Sequence, residues 1–216
     1  MHPFDQSRYQ VRLEWGAEGL ARLAASDIVV VVDVLRFSTT VTDAVARGER
    51  VALDDAALTA SVNGAAVAQA AAETGALVLL GCLRNAAAVA HAVLAEQVRR
   101  GDRTSVAVIA GGELSGGELR FAAEDQLGAG AVVDALAALG LDHSSPEAAV
   151  ACEAFRGLRG AARHLMTASG SGQELLERGL RDEVLNASAI DATDVVPVLR
   201  DGSFVRFDTG RPANGA

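Results

Sequence analysis

The sequence predicts an α/β layered fold, with a largely parallel or mixed sheet flanked by helices. Short apolar runs such as "IVVVV" and "ALVLLG" alternate along the chain with longer segments whose apolar residues recur at helical spacing. This alternation is typical of parallel strands joined by crossover helices, and continuous apolar runs are typical of strands buried on both faces of a sheet. With 216 residues, of which 50% are hydrophobic, the chain can bury a substantial core.

The first half of the chain predicts strands and helices in turn. "YQVRLEW" alternates apolar and polar residues as a half-buried strand does, "AEGLARLAAS" has helical spacing, and "DIVVVVDVL" is a continuous apolar strand. "TTVTDAVARG" predicts a short helix that ends at Gly48, and "RVALDD" predicts the next strand. "NGAAVAQAAAETG" predicts an alanine-rich helix that ends at Gly75, before the strand "ALVLLG".

The second half continues the same pattern with longer helices. Asn85 is expected to cap the helix "NAAAVAHAVLAEQVRRG", which is followed by the strand "SVAVIA". A glycine-rich, acid-containing stretch comes next, and helical spacing returns in "AVVDALAAL" and between residues 146 and 168. Asp201 and Gly202 stand between two apolar runs, which predicts a hairpin.

The chain shows no linker, repeat or low-complexity segment. We therefore expect one α/β domain over residues 1–208 and a frayed tail at residues 209–216. No apolar run approaches the roughly 20 residues that span a bilayer, so we expect no membrane partner. The first residues also lack the basic and apolar parts of a signal peptide, and we expect a cytoplasmic protein.

Composition excludes several classes of function. All 19 basic residues are arginine, because the chain contains no lysine, which rules out a P-loop lysine and Schiff-base chemistry. The formal net charge is −9 and no basic run is present, so we expect no nucleic-acid partner. Cys82 and Cys152 are the only cysteines, which is too few for a disulfide framework and does not suggest a zinc site.

Polar residues follow several of the predicted strands. Asp33 and Arg36 follow "IVVVV", Asn85 follows "ALVLLG", and a loop that leads to Glu124 and Asp125 follows "SVAVIA". In α/β sheets, ligands bind beyond the carboxyl ends of the strands, so these side chains are expected to share one edge. The carboxylates could hold Mg²⁺, and the Arg36 guanidinium could bind a phosphate oxygen in pairs of hydrogen bonds. The combination points to metal-assisted chemistry on an anionic ester.

Each of these residues also has a purely structural interpretation. Asp33 or the hydroxyls of Ser38, Thr39 and Thr40 could cap the next helix, and Arg36 could simply neutralise the acid. Glu124 and Asp125 fall in the first turn of a predicted helix, where the helix dipole favours acids. The residues alone leave both interpretations open.

Four motifs, in order, resemble the 2-phosphosulfolactate phosphatase family. "DVLRFSTT" (33–40) is similar to that family's D-V-L-R-A strand end, and "SVNGA" (61–65) to its T-T-N-G-T element. "GCLRNAAAVA" (81–90) is similar to a G-x-x-x-N helix start, and "AGGELSGGELRFAAEDQLGAGAVVDAL" (110–136) to a glycine loop, an E-D pair and the helix that follows. The family consists of magnesium-dependent α/β enzymes that release phosphate from 2-phospho-3-sulfolactate on the route to coenzyme M.

The resemblance implies a role for each matching residue. The cofactor would be Mg²⁺, the substrate a small anionic phosphate ester, and the assembly a homodimer. The implied catalytic residues are Asp33, Arg36 and Asp125; the implied substrate-binding residues are Ser38, Thr39, Asn63, Gly64 and Asn85; the implied metal ligands are Asp33, Glu124 and Asp125.

The chain also departs from the family pattern. Between the predicted strand that follows Gly48 and "SVNGA", the family carries a segment with G-E-R and G-F-D-x-G-N-S-P motifs, and this segment is missing here, where "LDDAALTA" passes straight across. Val62 and Ala65 replace threonines, and Ser171 stands where the family has a histidine. Each change removes groups that would hold an anionic substrate. Two alternatives to an active phosphatase therefore stay open: a catalytically weakened relative that acts as a binding or interaction protein, and a purely structural alanine-rich domain.

Overall fold

A computed structural model describes residues 2–54, 56–57, 61 and 63–208 of the chain. The strands are β1 (Val11–Trp15), β2 (Ile28–Val32), β3 (Val51–Ala52), β4 (Leu77–Gly81), β5 (Val106–Ala110), β6 (Glu113–Ser115), β7 (Glu118–Arg120), β8 (Pro197–Arg200) and β9 (Ser203–Arg206). The α-helices are α1 (Gly16–Arg22), α2 (Phe37–Ala46), α3 (Gly64–Glu73), α4 (Ala86–Arg100), α5 (Ala123–Ala138), α6 (Pro146–Leu158), α7 (Ala162–Ala168), α8 (Gly170–Glu177) and α9 (Arg181–Ala187). The expected tail at 209–216 lies outside the described residues.

A seven-stranded mixed sheet organises the protein, with the strand order β1-β5-β2-β4-β8-β9-β3. The pairs β1–β5, β5–β2 and β2–β4 are parallel, whereas β8 is antiparallel to β4 and β9 is antiparallel to β8. Helices flank the sheet, so the predicted α/β layered fold is confirmed. The β8–β9 connection is the hairpin that Asp201 and Gly202 predict.

The central strands are buried on both faces because their apolar runs serve two cores. Val30 and Val32 of β2 pack into one core with α4, α5 and α6. Val29 and Val31, which point to the opposite face, pack into a second core with α1, α2 and α3. A strand with helices on both sides needs apolar residues at every position, and this explains why "IVVVV" shows no polar alternation.

Three parts of the chain differ from the sequence expectation. The glycine-rich stretch after β5 contains a small hairpin, β6–β7, which forms its own two-stranded sheet. The helical spacing from 146 to 168 is divided between α6 and α7 by a 3-10 turn at Arg159–Ala161. Helix α9 was not predicted. Within the described residues, none of the helices combines the length and apolar character needed to cross a bilayer.

The parallel strands β2, β4 and β5 end at the same edge of the sheet. Each strand is followed there by a polar or glycine-rich segment: Asp33 after β2, Cys82 after β4, and Gly111 after β5. The backbone joins two of these segments directly, because Gly111 N–H donates to the Val32 carbonyl oxygen (2.7 Å). This edge is where the topology gathers the candidate site.

Candidate functional site

Asp33 lies at the carboxyl end of β2 and is buried, with 6% of its surface exposed. Its Oδ1 accepts a hydrogen bond from Phe37 N–H (3.2 Å), in the first turn of α2. Its Oδ2 accepts from Gly64 N–H (2.9 Å), at the start of α3, and from the Ser61 hydroxyl (3.4 Å). The carboxylate therefore caps two helices at once, as the structural interpretation expects, yet no described arginine forms an ion pair with it.

Asp125, in the first turn of α5, also accepts backbone hydrogen bonds on both carboxylate oxygens. Its Oδ1 accepts from Val34 N–H (2.7 Å), and its Oδ2 accepts from Gly112 N–H (2.9 Å). These bonds tie the first turn of α5 to the segments that follow β2 and β5. Glu124 is equally buried, at 3% exposed, and no described residue donates a hydrogen bond to its carboxylate. All three predicted acids are thus brought to one place.

Burial and mutual repulsion disfavour the ionised forms of Asp33 and Asp125. Burial raises the pKa of Asp33 from an ordinary value of 3.8 to about 6, against the lowering effect of its backbone hydrogen bonds, and the Glu124 charge adds to the rise. Burial also raises the pKa of Asp125 well above its ordinary value, and the neighbouring charges of Asp33 and Glu124 raise it further. Within the described residues no ion pair joins Asp33 or Asp125 to an arginine.

Glycines allow the backbone to approach these carboxylates closely. A Cβ on Gly64 would lie 2.5 Å from Oδ2 of Asp33 and 2.8 Å from Cδ1 of Phe37. A Cβ on Gly111 would lie 3.2 Å from Cβ of Asp33 and 3.4 Å from Oδ2 of Asp125, so the two acids flank the same glycine. Gly64 is therefore a positioning residue for Asp33, because only glycine brings the α3 N–H within hydrogen-bond distance.

Arg36 is not brought to the acids. Its Nη1 lies 2.8 Å from Oε2 of Glu183 on α9, and both side chains are about half exposed. Arg36 is the residue that precedes α2, so it lies next to the cluster along the chain, but its guanidinium is engaged with a carboxylate from the other end of the sequence.

Arg84 is an arginine at this edge that the sequence patterns did not single out. It follows β4, and its guanidinium contacts Oδ1 of Asp43 (3.1 Å) and the backbone and side-chain oxygens of Asn186 (3.1 and 2.5 Å). Its Nε is buried, and no hydrogen-bond partner for it is found among the described residues. The signal available in the sequence was its position inside "GCLRN", directly after a buried strand.

Two residues predicted to bind substrate, Ser38 and Thr39, form hydrogen bonds with the protein backbone instead. The Ser38 hydroxyl donates to the Val31 carbonyl oxygen (3.1 Å), and the Thr39 hydroxyl donates to that of Val34 (2.8 Å). Both side chains are buried. Their hydroxyls stabilise the turn from β2 into α2, as the capping alternative expects.

Asn85 is fully buried and uses both ends of its amide within the fold. Its Oδ1 accepts from Cys82 N–H (2.9 Å), and its Nδ2 donates to the carbonyl oxygens of Leu80 (3.2 Å) and Val195 (3.0 Å). Asn85 therefore joins the end of β4 to the segment before β8. Its predicted contact with substrate would require these bonds to rearrange.

Asn63 has free hydrogen-bonding capacity beside Asp33. It precedes α3, and its Oδ1 is buried and has no hydrogen-bond partner in the part of the chain that the structure describes. Val62, one of the departures from the family pattern, lies outside the described residues. Ser171, where the family has a histidine, lies in the first turn of α8, next to Gly170, whose position faces Glu113 and Arg120 of the β6–β7 hairpin.

The donor chemistry of the edge fits a hard cation. Carboxylate and amide oxygens are the ligands that Mg²⁺ takes from proteins, often one or two with the rest supplied by water and substrate. Among the described residues, none donates a hydrogen bond to the Glu124 carboxylate or to the buried Asn63 amide oxygen, and a cation would relieve the repulsion among the acids. Among the described residues, however, no group of three or more potential ligands is already arranged around a common point.

A comparison with known families decides the relationship. A family model described as 2-phosphosulpholactate phosphatase matches residues 49–202, which is most of the chain. The protein belongs to this family. The matched range contains Asn63, Gly64, Asn85, Glu124 and Asp125, and it begins after the segment with Asp33 and Arg36. The geometry connects that earlier segment to the matched range, because Gly64 and Asp33 share a hydrogen bond.

Proposed function

We propose that this protein is a magnesium-dependent phosphatase that hydrolyses a small anionic phosphate monoester of the 2-phosphosulfolactate type. One observation carries the proposal: Asp33, Glu124 and Asp125 are buried together at the carboxyl edge of the sheet, and no arginine among the described residues forms an ion pair with them. Buried acids in this condition need protons or a cation to be stable, and a site that binds phosphate esters through Mg²⁺ supplies the cation. The family match supports the phosphatase activity.

The proposed metal ligands are the three acids, with the Asn63 amide oxygen as a further candidate. Bound Mg²⁺ would neutralise charge on the phosphoryl oxygens and orient a water molecule for attack. The backbone hydrogen bonds to Asp33 and Asp125 hold these carboxylates in fixed orientations, so little side-chain entropy is lost on binding.

Arg36 supplies the positive charge that we assign to substrate binding. Arg36 is half exposed and linked to the acid cluster by only two residues, so its guanidinium can bind an anionic group of the substrate after it leaves Glu183. Its predicted role at the transferring phosphoryl group stays a prediction. The Ser38 and Thr39 hydroxyls are committed to the backbone, so we assign the substrate contacts to Arg36 and Asn63.

A direct assay tests the proposal. Phosphate release is measured from 2-phosphosulfolactate and from a generic aryl phosphate, with Mg²⁺ and with a chelator, using the wild type and Asp33→Asn. We expect release from 2-phosphosulfolactate that requires both Mg²⁺ and Asp33. The absence of metal-dependent release on either ester by folded protein would contradict the proposal.

A second candidate is a family member that binds an anionic ligand without hydrolysing it. The engaged hydroxyls of Ser38 and Thr39 and the serine at position 171 favour it, because they leave few donors for a transition state. This candidate predicts that Mg²⁺ and phosphate raise the melting temperature while no ester is cleaved.

A further inference from the structure

Helix α9 carries two residues that contact the arginines at the carboxyl edge of the sheet. Glu183 pairs with Arg36, which follows β2, and Asn186 bonds to Arg84, which follows β4. Glu183 and Asn186 are three residues apart, so they share one face of the helix. One short helix therefore engages an arginine from each of two neighbouring strands.

The contact with Arg84 fixes the position of this helix. The Arg84 side chain is largely buried, at 14% exposed, and binds both Asn186 oxygens and Asp43. Asn186 Nδ2 in turn donates to Oδ2 of Asp43 (2.6 Å). Val184 and Ala187 of α9 are buried in the core. The Glu183 carboxylate is thus presented to Arg36 from an anchored element.

The contact with Arg36 is different in kind, because it is open to solvent. The Arg36 and Glu183 side chains are 42% and 45% exposed. Ion pairs this exposed are weak, so a dianionic ligand can replace the carboxylate at modest cost. The exposed Arg36 guanidinium can therefore pair with Glu183 or with an anionic ligand, and the Glu183 carboxylate partly neutralises its charge while the two are paired.

We propose that Glu183 competes with the anionic substrate for Arg36 and thereby sets how much negative charge a ligand needs in order to bind. This inference rests on the proposed function, in which Arg36 receives an anionic group of the ester. A phosphate dianion displaces the Glu183 carboxylate because it carries more charge and more acceptor oxygens. A ligand with one negative charge gains little over the carboxylate it replaces and is selected against.

The test uses inorganic phosphate as the probe and Glu183→Gln as the variant. Phosphate affinity is measured at constant ionic strength, because exposed pairs are screened by salt. We expect Glu183→Gln to bind phosphate about two- to five-fold more tightly than the wild type, which is the factor equivalent to the weak pair it removes. In an Arg36→Gln background, the same change is expected to produce no gain.

Asp182→Asn is the matched control. Asp182 is exposed and precedes Glu183 on α9, and no described residue forms an ion pair with it. The substitution removes the same charge as Glu183→Gln. If Asp182→Asn improves phosphate affinity as much as Glu183→Gln, the effect is one of net charge and the inference is wrong. The inference is also wrong if the gain persists without Arg36.

The outcomes separate this inference from the proposed function. Arg36-dependent phosphate binding that Glu183→Gln leaves unchanged would overturn the competition and leave the phosphatase proposal standing. Tighter binding by Glu183→Gln with no metal-dependent ester hydrolysis would support the competition and overturn the phosphatase. If neither the wild type nor Glu183→Gln binds phosphate, Arg36 is not an anion site and the inference fails.

Discussion

Two buried carboxylates of this protein, Glu96 on α4 and Asp33 after β2, have opposite electrostatic environments. Glu96 is 3% exposed and accepts hydrogen bonds from Arg99 (2.6 and 2.7 Å) and Arg100 (2.9 Å). The hydrogen bond from Arg99, which has the largest effect, and the one from Arg100 lower its pKa to about 2. Asp33 is 6% exposed, its described hydrogen-bond donors are backbone N–H groups and a hydroxyl, and burial raises its pKa to about 6. Two arginines therefore neutralise Glu96, whereas no described arginine neutralises Asp33.

The difference separates a structural acid from a candidate functional one. A fold that needs a buried charge only for stability places a cation beside it, as α4 does for Glu96. Asp33 is accompanied instead by Glu124 and Asp125, which increase the local negative charge. Strongly perturbed groups of this kind cluster at functional sites, and here the cluster lies where α/β sheets bind ligands.

Removing the two kinds of acid should affect activity very differently. We expect Asp33→Asn and Asp125→Asn to lower metal-dependent phosphate release by about 100-fold or more, because each removes a charge that the proposed Mg²⁺ site requires. Glu96→Gln, which lies outside the site, should keep the wild-type rate at a temperature where it is folded. Steady-state kinetics on the three variants measure the contrast. Equal losses in all three would contradict it.

The two acids should also give opposite pH dependence of stability. A carboxyl whose pKa is higher in the folded protein than in the unfolded chain stabilises the fold. That stabilisation is complete at a pH below the pKa of the unfolded chain, and it is lost as the pH rises through the pKa of the folded protein. For Asp33 the window runs from about pH 4 to about pH 6, and stability falls as the pH rises across it. Glu96 acts in the reverse sense, since its lowered pKa makes stability fall only as the pH drops from about 4.5 towards 2.

Denaturant unfolding of the metal-free protein between pH 5 and pH 7 measures the combined effect of Asp33 and Asp125, whose pKa values are both raised, with little contribution from Glu96. We expect the free energy of unfolding to fall as the pH rises across this range. Asp33→Asn should make the slope shallower, and saturating Mg²⁺ should flatten it. A wild-type slope that neither change alters would show that other groups govern stability in this range.

The support for Asp33 can be tested through Gly64. Gly64→Ala places a methyl group 2.5 Å from Oδ2 of Asp33, so the carboxylate or α3 must move. We expect a loss of about 1 to 3 kcal/mol in stability and a larger loss in Mg²⁺ affinity. Gly157→Ala on α6 is the control, since nothing lies within 4 Å of its Cβ position and alanine favours a helix. Matching losses in the two variants would exclude a steric effect at Asp33.

The paired acid gives the smallest effect. Glu96→Gln weakens the hydrogen bonds that join its carboxylate to two arginines, and we expect a loss of roughly 1 to 2 kcal/mol. The melting temperature at pH 7 and at pH 3 measures it, and the difference from wild type should shrink at the lower pH, because the stability that Glu96 contributes is lost as the pH falls below the pKa of 4.5 that it has in the unfolded chain.

The sequence was sufficient for the elements that depend on long apolar patterns. β2, β4 and β5 follow from continuous apolar runs, and α4 follows from its spacing and its terminal Gly101. The β6–β7 hairpin was missed because its three-residue strands are mostly exposed and show no apolar period. α9 was missed because "RDEVLNA" is only seven residues long, and most of its stability comes from packing of Val184 and Ala187.

For the candidate site, the sequence predicted location better than side-chain contacts. The topological rule placed Asp33, Glu124 and Asp125 at one edge, and the structure brings them together. It could not show that Ser38, Thr39 and Asn85 bond to backbone groups, because a motif does not specify the direction of a side chain. Nor could it reveal the Arg36–Glu183 pair, which joins residues 147 positions apart.

The central claim is that the acids around Asp33 form a cation site, and a Mg²⁺ titration followed by melting temperature at pH 7 tests it most directly. A ligand that binds only the folded state at about 100 times its dissociation constant stabilises it by roughly 2.7 kcal/mol, which corresponds to several degrees in a chain of this size. We predict such a rise for the wild type and none for Asp125→Asn, relative to a sodium salt of equal ionic strength. A wild-type melting temperature that Mg²⁺ does not raise beyond that salt control would contradict the claim.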